Sequence, residues 1–188
     1  MFRRILFLVL VLAASPAFAA EPAVKLEPTE GTELSKADDA AVRKALEDYL
    51  DALKKKEYVK AGELIERASL LSTVEPLVNS IASDSTHTDA ARKHIFGVST
   101  ADSIAARGNG PLFESLMHYL LELNPNAAKV LERSTIQVLA TRQMKGKASV
   151  AYQLTVAPDE PGGMPYEQVT AQQLKKVDGK WRILFRLE

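Results

Sequence analysis

Three histidines are the side chains of this chain best suited to proton transfer or metal binding. His87 sits in a polar run over residues 83–88, near Asp84 and Asp89, and His94 follows seven residues later on an expected helix over 89–96. That spacing could bring two imidazoles to one face beside carboxylates, as a metal site or an oriented base requires. No H-x-x-x-H or H-E-x-x-H pair is present, however, and the run has the composition of a surface. We read both as surface histidines and expect no metal. His118 is flanked by Glu114 and Glu122 at i−4 and i+4 on an expected helix over 111–123. A carboxylate so placed can orient an imidazole as a general base. Leu112, Phe113, Leu116, Met117 and Leu120 claim the buried side of that helix, so the stripe reads as its solvated face, supported by i, i+4 pairs. Glu114, His118 and Glu122 are the weak catalytic candidates.

A polar patch on a strand face is the other candidate. Gln168, Thr170 and Gln172 share one face with Leu174, and Phe185 and Tyr152 come to the same side by the expected strand pairing. Burying an amide without a hydrogen bond costs about 1–3 kcal/mol. The patch therefore marks either a partly polar cavity or a wet end of the sheet. Tyr152, Gln168, Thr170, Gln172 and Phe185 are the expected ligand-binding residues.

Other chemistries lack their residues. The chain has no cysteine, which removes disulfides, thiolate metal sites and a thiol nucleophile. There is no phosphate-cradling glycine loop and no G-x-S-x-G, and no cofactor is expected. Lys54, Lys55, Lys56 and Lys60 form a basic run at a helix end, where positive charge is favourable in itself. Acidic neighbours cancel its field and no stacking aromatics accompany it, so nucleic acid is not an expected partner.

The N-terminus reads as a cleavable signal peptide over 1–19. Arg3 and Arg4 precede an apolar run over 5–12, and Ala17-Phe18-Ala19 supplies the small-residue cleavage signal. The run is too short to span a bilayer, which takes about 20 residues. Loss of Arg3 and Arg4 leaves 22 basic residues against 24 acidic ones, a nearly neutral product. The periplasm is the expected location, with the extracellular space as the alternative, and no membrane span is expected after cleavage.

What remains is a flexible leader over 20–34 and a single α+β domain over 35–188, helical over 35–133 and sheet over 134–188. Ser35 with Asp38 caps a first helix whose apolar positions Val42, Leu46, Tyr49, Leu50 and Leu53 recur at helical spacing. A second helix is expected over 57–68, and a third over 73–81 with Pro76 in its first turn. A further helix opens at Ser99 and ends before Gly108, and a short turn follows Pro125. At Ser134 the period changes to two. Ile136, Val138 and Ala140 are expected opposite Leu154, Tyr152 and Val150 across a three-residue loop ending at Gly146. A second hairpin over 166–187 turns at Asp178-Gly179, with Trp181, Ile183, Phe185 and Leu187 opposite Lys176, Leu174, Gln172 and Thr170.

Two stretches resemble the nuclear transport factor 2-like (SnoaL-like) superfamily. Asp48-Tyr49-Leu50-Asp51-Ala52-Leu53-Lys54 running into Glu57-Tyr58-Val59-Lys60-Ala61 is similar to its opening helix pair. Val177-Asp178-Gly179-Lys180-Trp181-Arg182-Ile183 is similar to its closing hairpin. The resemblance implies N-terminal amphipathic helices packed on a curved, cone-shaped antiparallel sheet, often dimeric and sometimes enclosing an apolar pocket. The segment over 69–110 departs from it, being longer and more helical. Superfamily members include isomerases, dehydratases, hydrolases and binding modules, and no enzyme's catalytic set maps onto this chain. We expect a non-catalytic binding module whose concave sheet face takes a small amphipathic ligand or a periplasmic protein. The alternatives are a cofactor-free isomerase, dehydratase or hydrolase, and a structural homodimer.

Overall fold

Helices come first along the chain and a four-stranded antiparallel sheet follows, in the order β1-β2-β3-β4. The computed structural model describes residues 31–83 and 101–187. The expected signal peptide, most of the leader, and the stretch with His87, His94 and their helix lie outside the described residues. The fold is α+β, with an open sheet: no ladder joins β1 to β4.

Helix α1 (Lys36–Lys54) starts where its cap predicts, the Ser35 hydroxyl accepting the Asp38 N–H at 3.1 Å. Val42, Leu46, Tyr49 and Leu53 form its buried stripe. It stops in a tight C-terminal motif: the N–H groups of Glu57 and Lys56 donate to the carbonyls of Ala52 and Leu53 at 2.9 and 3.1 Å. Lys56 takes the left-handed position there, φ 60°, which glycine usually fills. The chain passes directly into α2 (Tyr58–Glu63).

That second helix is shorter than expected because the sheet claims the residues after it. The Leu64 carbonyl accepts the Ile183 N–H at 2.9 Å, and the Glu66 N–H donates to the Ile183 carbonyl at 2.8 Å. Residues 64–66 thus cover the free edge of the last strand, which would otherwise expose unpaired backbone. Glu66 then caps α3 (Arg67–Ser83), its carboxylate accepting the Ser69 N–H at 2.6 Å. The expected helix over 73–81 is therefore part of a longer one, with Pro76 inside it. An interior proline typically costs about 3 kcal/mol or more. Pro76 and Ser72 are both exposed, so water can satisfy the Ser72 carbonyl that loses its partner.

Next come α4 (Ala101–Ala106), α5 (Asn109–Leu123) and α6 (Asn126–Arg133). Helix α5 begins two residues before Pro111 and buries Leu112, Phe113, Leu116, Met117 and Leu120, as their spacing predicts. It crosses α2 through two glycines. A Cβ on Gly62 would lie 2.6 Å from the Asn109 carbonyl oxygen, and one on Gly110 would lie 2.7 Å from Val59 Cγ1. Only residues without side chains allow these backbones to approach so closely.

Strands β1 (Ser134–Met144) and β2 (Lys147–Val156) meet around a two-residue turn, not the expected three-residue loop. Lys145 and Gly146 both have positive φ, 48° and 77°, the signature of a type I′ turn. A two-residue loop alone would mix polar and apolar residues on both faces. A bulge between Val138 and Ala140 removes that conflict. Before it, Ile136 and Val138 face Leu154 and Tyr152 as expected; after it, Thr141 and not Ala140 faces Val150. Ala140 moves to the outer face, opposite Ala151.

Strands β3 (Tyr166–Val177) and β4 (Lys180–Ile183) turn at Asp178-Gly179, with Trp181 opposite Lys176 and Ile183 opposite Leu174. Strand β4 ends well before the expected Leu187, so Phe185 and Leu187 do not pair with Gln172 and Thr170. Helix α3 takes the backbone instead. The Phe185 N–H donates to Ser69 Oγ at 3.0 Å, and Thr73 Oγ1 donates to the Phe185 carbonyl at 3.3 Å. The Phe185 ring turns inward, edge-on to Phe113 with centroids 5.4 Å apart. Trp181 is buried as well.

The first turn of α1 is tied to the second hairpin. The Asp38 carboxylate accepts from Lys176 Nζ at 2.7 Å and from Trp181 Nε1 at 2.9 Å, and Lys176 Nζ lies 5.7 Å from the Trp181 ring centroid. The hydrogen bonds from Lys176 and Trp181 hold Asp38 below its ordinary pKa of 3.8. A carboxylate depressed in the folded state contributes stability above its unfolded pKa, and this is lost as pH falls through the folded value. Asp38→Asn is expected to lower the melting temperature at about pH 7. The gap to wild type should narrow as pH falls below the ordinary carboxylate value of 3.8 and vanish once Asp38 is protonated in the folded protein as well. Circular-dichroism melts of both proteins across that range test this.

Candidate ligand-binding cavity

Helix α1 runs antiparallel to β1 and is bonded to it near both ends. Asp39 accepts from the Thr141 hydroxyl, and Lys54 Nζ donates to the Ser134 carbonyl at 2.6 Å. From Asp39 to Lys54 a helix rises about 22 Å, and from Ser134 to Thr141 a strand advances about 23 Å. The match lets both contacts form at once. Hydrogen bonds from Thr141 and then Arg43 hold the Asp39 carboxyl below its ordinary range.

Between these ties lies the inner face of the sheet. Its rows run Ile136–Leu154–Gln168, Val138–Tyr152–Thr170 and Thr141–Val150–Gln172. A cavity of about 230 Å³ separates this face from α1. Tyr49, Leu50 and Leu53 contribute from the helix, and Ile136 and Leu154 from the sheet. Tyr152, Gln168, Thr170, Gln172 and Phe185, the five residues assigned to a ligand from their expected common face, all line it. Phe185 arrives there through its bonds to α3 and not through strand pairing. By sequence, Tyr49 and Leu50 belong to the buried stripe of α1 and Lys54 to its basic end. The available signal was Tyr49 itself, a phenol in an otherwise aliphatic stripe.

The polar groups of the cavity differ in how far they are already engaged. Gln172 Nε2 donates to the carbonyls of Leu184 and Gln173 at 2.8 and 3.0 Å, and Gln168 Oε1 accepts from Tyr166 at 3.1 Å. Among the described residues, the hydroxyls of Tyr49, Tyr152 and Thr170 have no protein hydrogen-bond partner. Tyr49 is only 6% exposed. Burial pushes the Tyr49 phenol up, with the neighbouring Tyr152 adding to the effect, and burial also raises Tyr152. Both are therefore neutral O–H donors at ordinary pH.

At the rim, Glu47, Asp51 and Lys54 come from one side of α1. Asp51 is paired with Lys55 at 2.7 Å. The stripe of catalytic candidates is elsewhere. His118 and Glu122 are exposed and Glu114 half-exposed on α5, and none of the three lines the cavity. The His118 ring meets Tyr58 edge-on at 5.8 Å. Among the described residues no cluster of three His, Asp or Glu could hold a metal, and no helix is long and apolar enough to cross a membrane. Comparison with protein-family models, curated proteins and solved structures finds no match.

The Tyr49 hydroxyl opens onto the cavity and makes no hydrogen bond among the described residues, so removing it breaks none. Tyr49→Phe is therefore expected to leave the ligand-free protein as stable or to stabilise it by up to about 1 kcal/mol. Urea denaturation measures this; a loss of more than about 1 kcal/mol would mean that the hydroxyl is bonded within the fold.

Proposed function

We propose that this domain is a non-catalytic binding module that holds a small amphipathic molecule between α1 and the inner face of the sheet. One observation carries the reading: a mostly apolar cavity of about 230 Å³ into which a nine-tenths-buried phenol, Tyr49, brings a donor with no protein partner. Ligand sites are typically concave and apolar with a few placed polar groups, and this one lies below their usual span of about 300–1,000 Å³, which suits a small ligand. Of the groups an enzyme reading would use, His118, Glu114 and Glu122 lie outside the cavity, while Tyr152 lines it with Glu47 and Asp51 at the rim. The reading takes the chain as a nuclear transport factor 2-like domain with a cone-shaped sheet, on the likeness of its opening helix pair and closing hairpin. It also takes the chain as exported to the periplasm, on the signal sequence over 1–19. Titration calorimetry with 1-octanol tests the site. Wild type is expected to bind, and Thr170→Trp, which fills the cavity, to weaken binding at least about tenfold while keeping its melting temperature. Equal binding by both proteins would reject the site.

The outer sheet face favours an additional role, pairing of two copies. Ala140, Ala151 and Ala171 form a row across three strands, and Leu139 and Val169 beside it are 42% and 47% exposed. A row of small side chains permits close face-to-face approach of two sheets. Sedimentation of wild type is expected to show a dimer that Ala151→Arg converts to monomer. A monomer at high concentration in wild type dismisses this role.

A further inference from the structure

We infer that the ligand of the cavity is an organic anion, a monocarboxylate with a short apolar body whose head group is received by Lys54. The inference rests on the cavity being a ligand site and adds the charge class of what enters it.

Lys54 is half-buried at the cavity wall, where its Nζ donates one hydrogen bond, to the Ser134 carbonyl at 2.6 Å. An ammonium carries three donors, so two remain for other acceptors. Among the described residues Lys54 has no carboxylate in an ion pair, unlike its neighbours Lys55, Lys56 and Lys60, which pair with Asp51, Glu132 and Glu57. Of the other charges at the rim, Asp51 is hydrogen-bonded to Lys55 and feels Lys54 only through space, and Glu47 is exposed and acts on Lys44. The two unpaired charges are not equivalent. An exposed carboxylate is fully hydrated and gains little from a partner, whereas a half-buried lysine held at the wall with two spare donors gains charge-assisted hydrogen bonds from an anion. The unmet demand in this site is therefore for negative charge.

Geometry favours a head group over a free inorganic ion. Ser134, which holds the ammonium, lines the same cavity as Leu131, Ile136 and Leu154. A carboxylate on Lys54 thus has apolar wall beside it for the rest of the molecule. A free anion would leave that wall uncovered. The backbone bond to Ser134 fixes the ammonium in advance, which lowers the ordering cost of binding.

Calorimetry with three probes of equal chain length, octanoate, 1-octanol and octylamine, decides the matter. Wild type is expected to bind octanoate about tenfold or more tighter than 1-octanol, because a charge-assisted hydrogen bond replaces a neutral one. Lys54→Met is expected to bring the two to equal affinity while still binding 1-octanol, which also reports that the cavity has folded. Lys54→Arg should keep the preference. Equal affinities in wild type, or a preference that survives Lys54→Met, would overturn the inference and leave the binding site standing. Tightest binding of octylamine would overturn it in favour of Glu47. If none of the three binds, the cavity is not a ligand site and both conclusions fall together.

Discussion

The equal length of α1 and the facing part of β1 is the constraint on which the rest of this structure depends. A helix and a strand advance at different rates per residue, so they share two end contacts only when their lengths are matched. Here Asp39 reaches Thr141 at one end and Lys54 reaches Ser134 at the other. Asp38, beside the first contact, also holds Trp181 and Lys176 of the second hairpin. The helix is thereby fixed over the sheet by polar contacts at its ends, while Val42, Leu46 and Leu53 supply the apolar burial. The cavity lies under the C-terminal half of the helix, where the Lys54–Ser134 contact forms part of its wall.

Two further devices protect this arrangement. The bulge at Leu139 lets a tight type I′ turn coexist with an apolar inner face, and it delivers Thr141 to the inner side, where Asp39 can use it. Without the extra residue every side chain on one side of the bulge would change face. At the opposite edge, residues 64–66 pair with Ile183 and close off β4. The same segment ends α2 and, through Glu66, begins α3. Ser69 and Thr73 of α3 then hold Phe185 against the core. The short last strand and the interrupted second helix thus have one cause.

Much of the site was legible because strand periodicity is strict. Alternation places Gln168, Thr170 and Gln172 on one face wherever the strand begins, and apolar Leu174 identifies that face as the buried one. Tyr152 follows from the same rule on β2. Phe185 reaches the cavity by a route other than strand pairing, since it leaves the ladder and is positioned by α3. Tyr49 and Lys54 were not legible as site residues. On a helix, a buried phenol and a terminal lysine look like core and cap until the facing surface is known.

Local rules acting over a few residues were therefore sufficient for several features from sequence alone: the cap at Ser35, the buried stripes of α1 and α5, the change of period at Ser134 and the turn at Asp178-Gly179. Each depends on near neighbours in the chain, and the residues involved state it directly. Tertiary structure alone decided where α2 ends, how a helix tolerates Pro76, where β1 bulges, how far β4 runs, and that a hollow separates α1 from the sheet. These outcomes depend on hydrogen bonds between residues far apart in the chain, such as Glu66 with Ile183 and Lys54 with Ser134. Such pairs leave no periodicity to read, because either partner would fit many other places until the fold brings the two together.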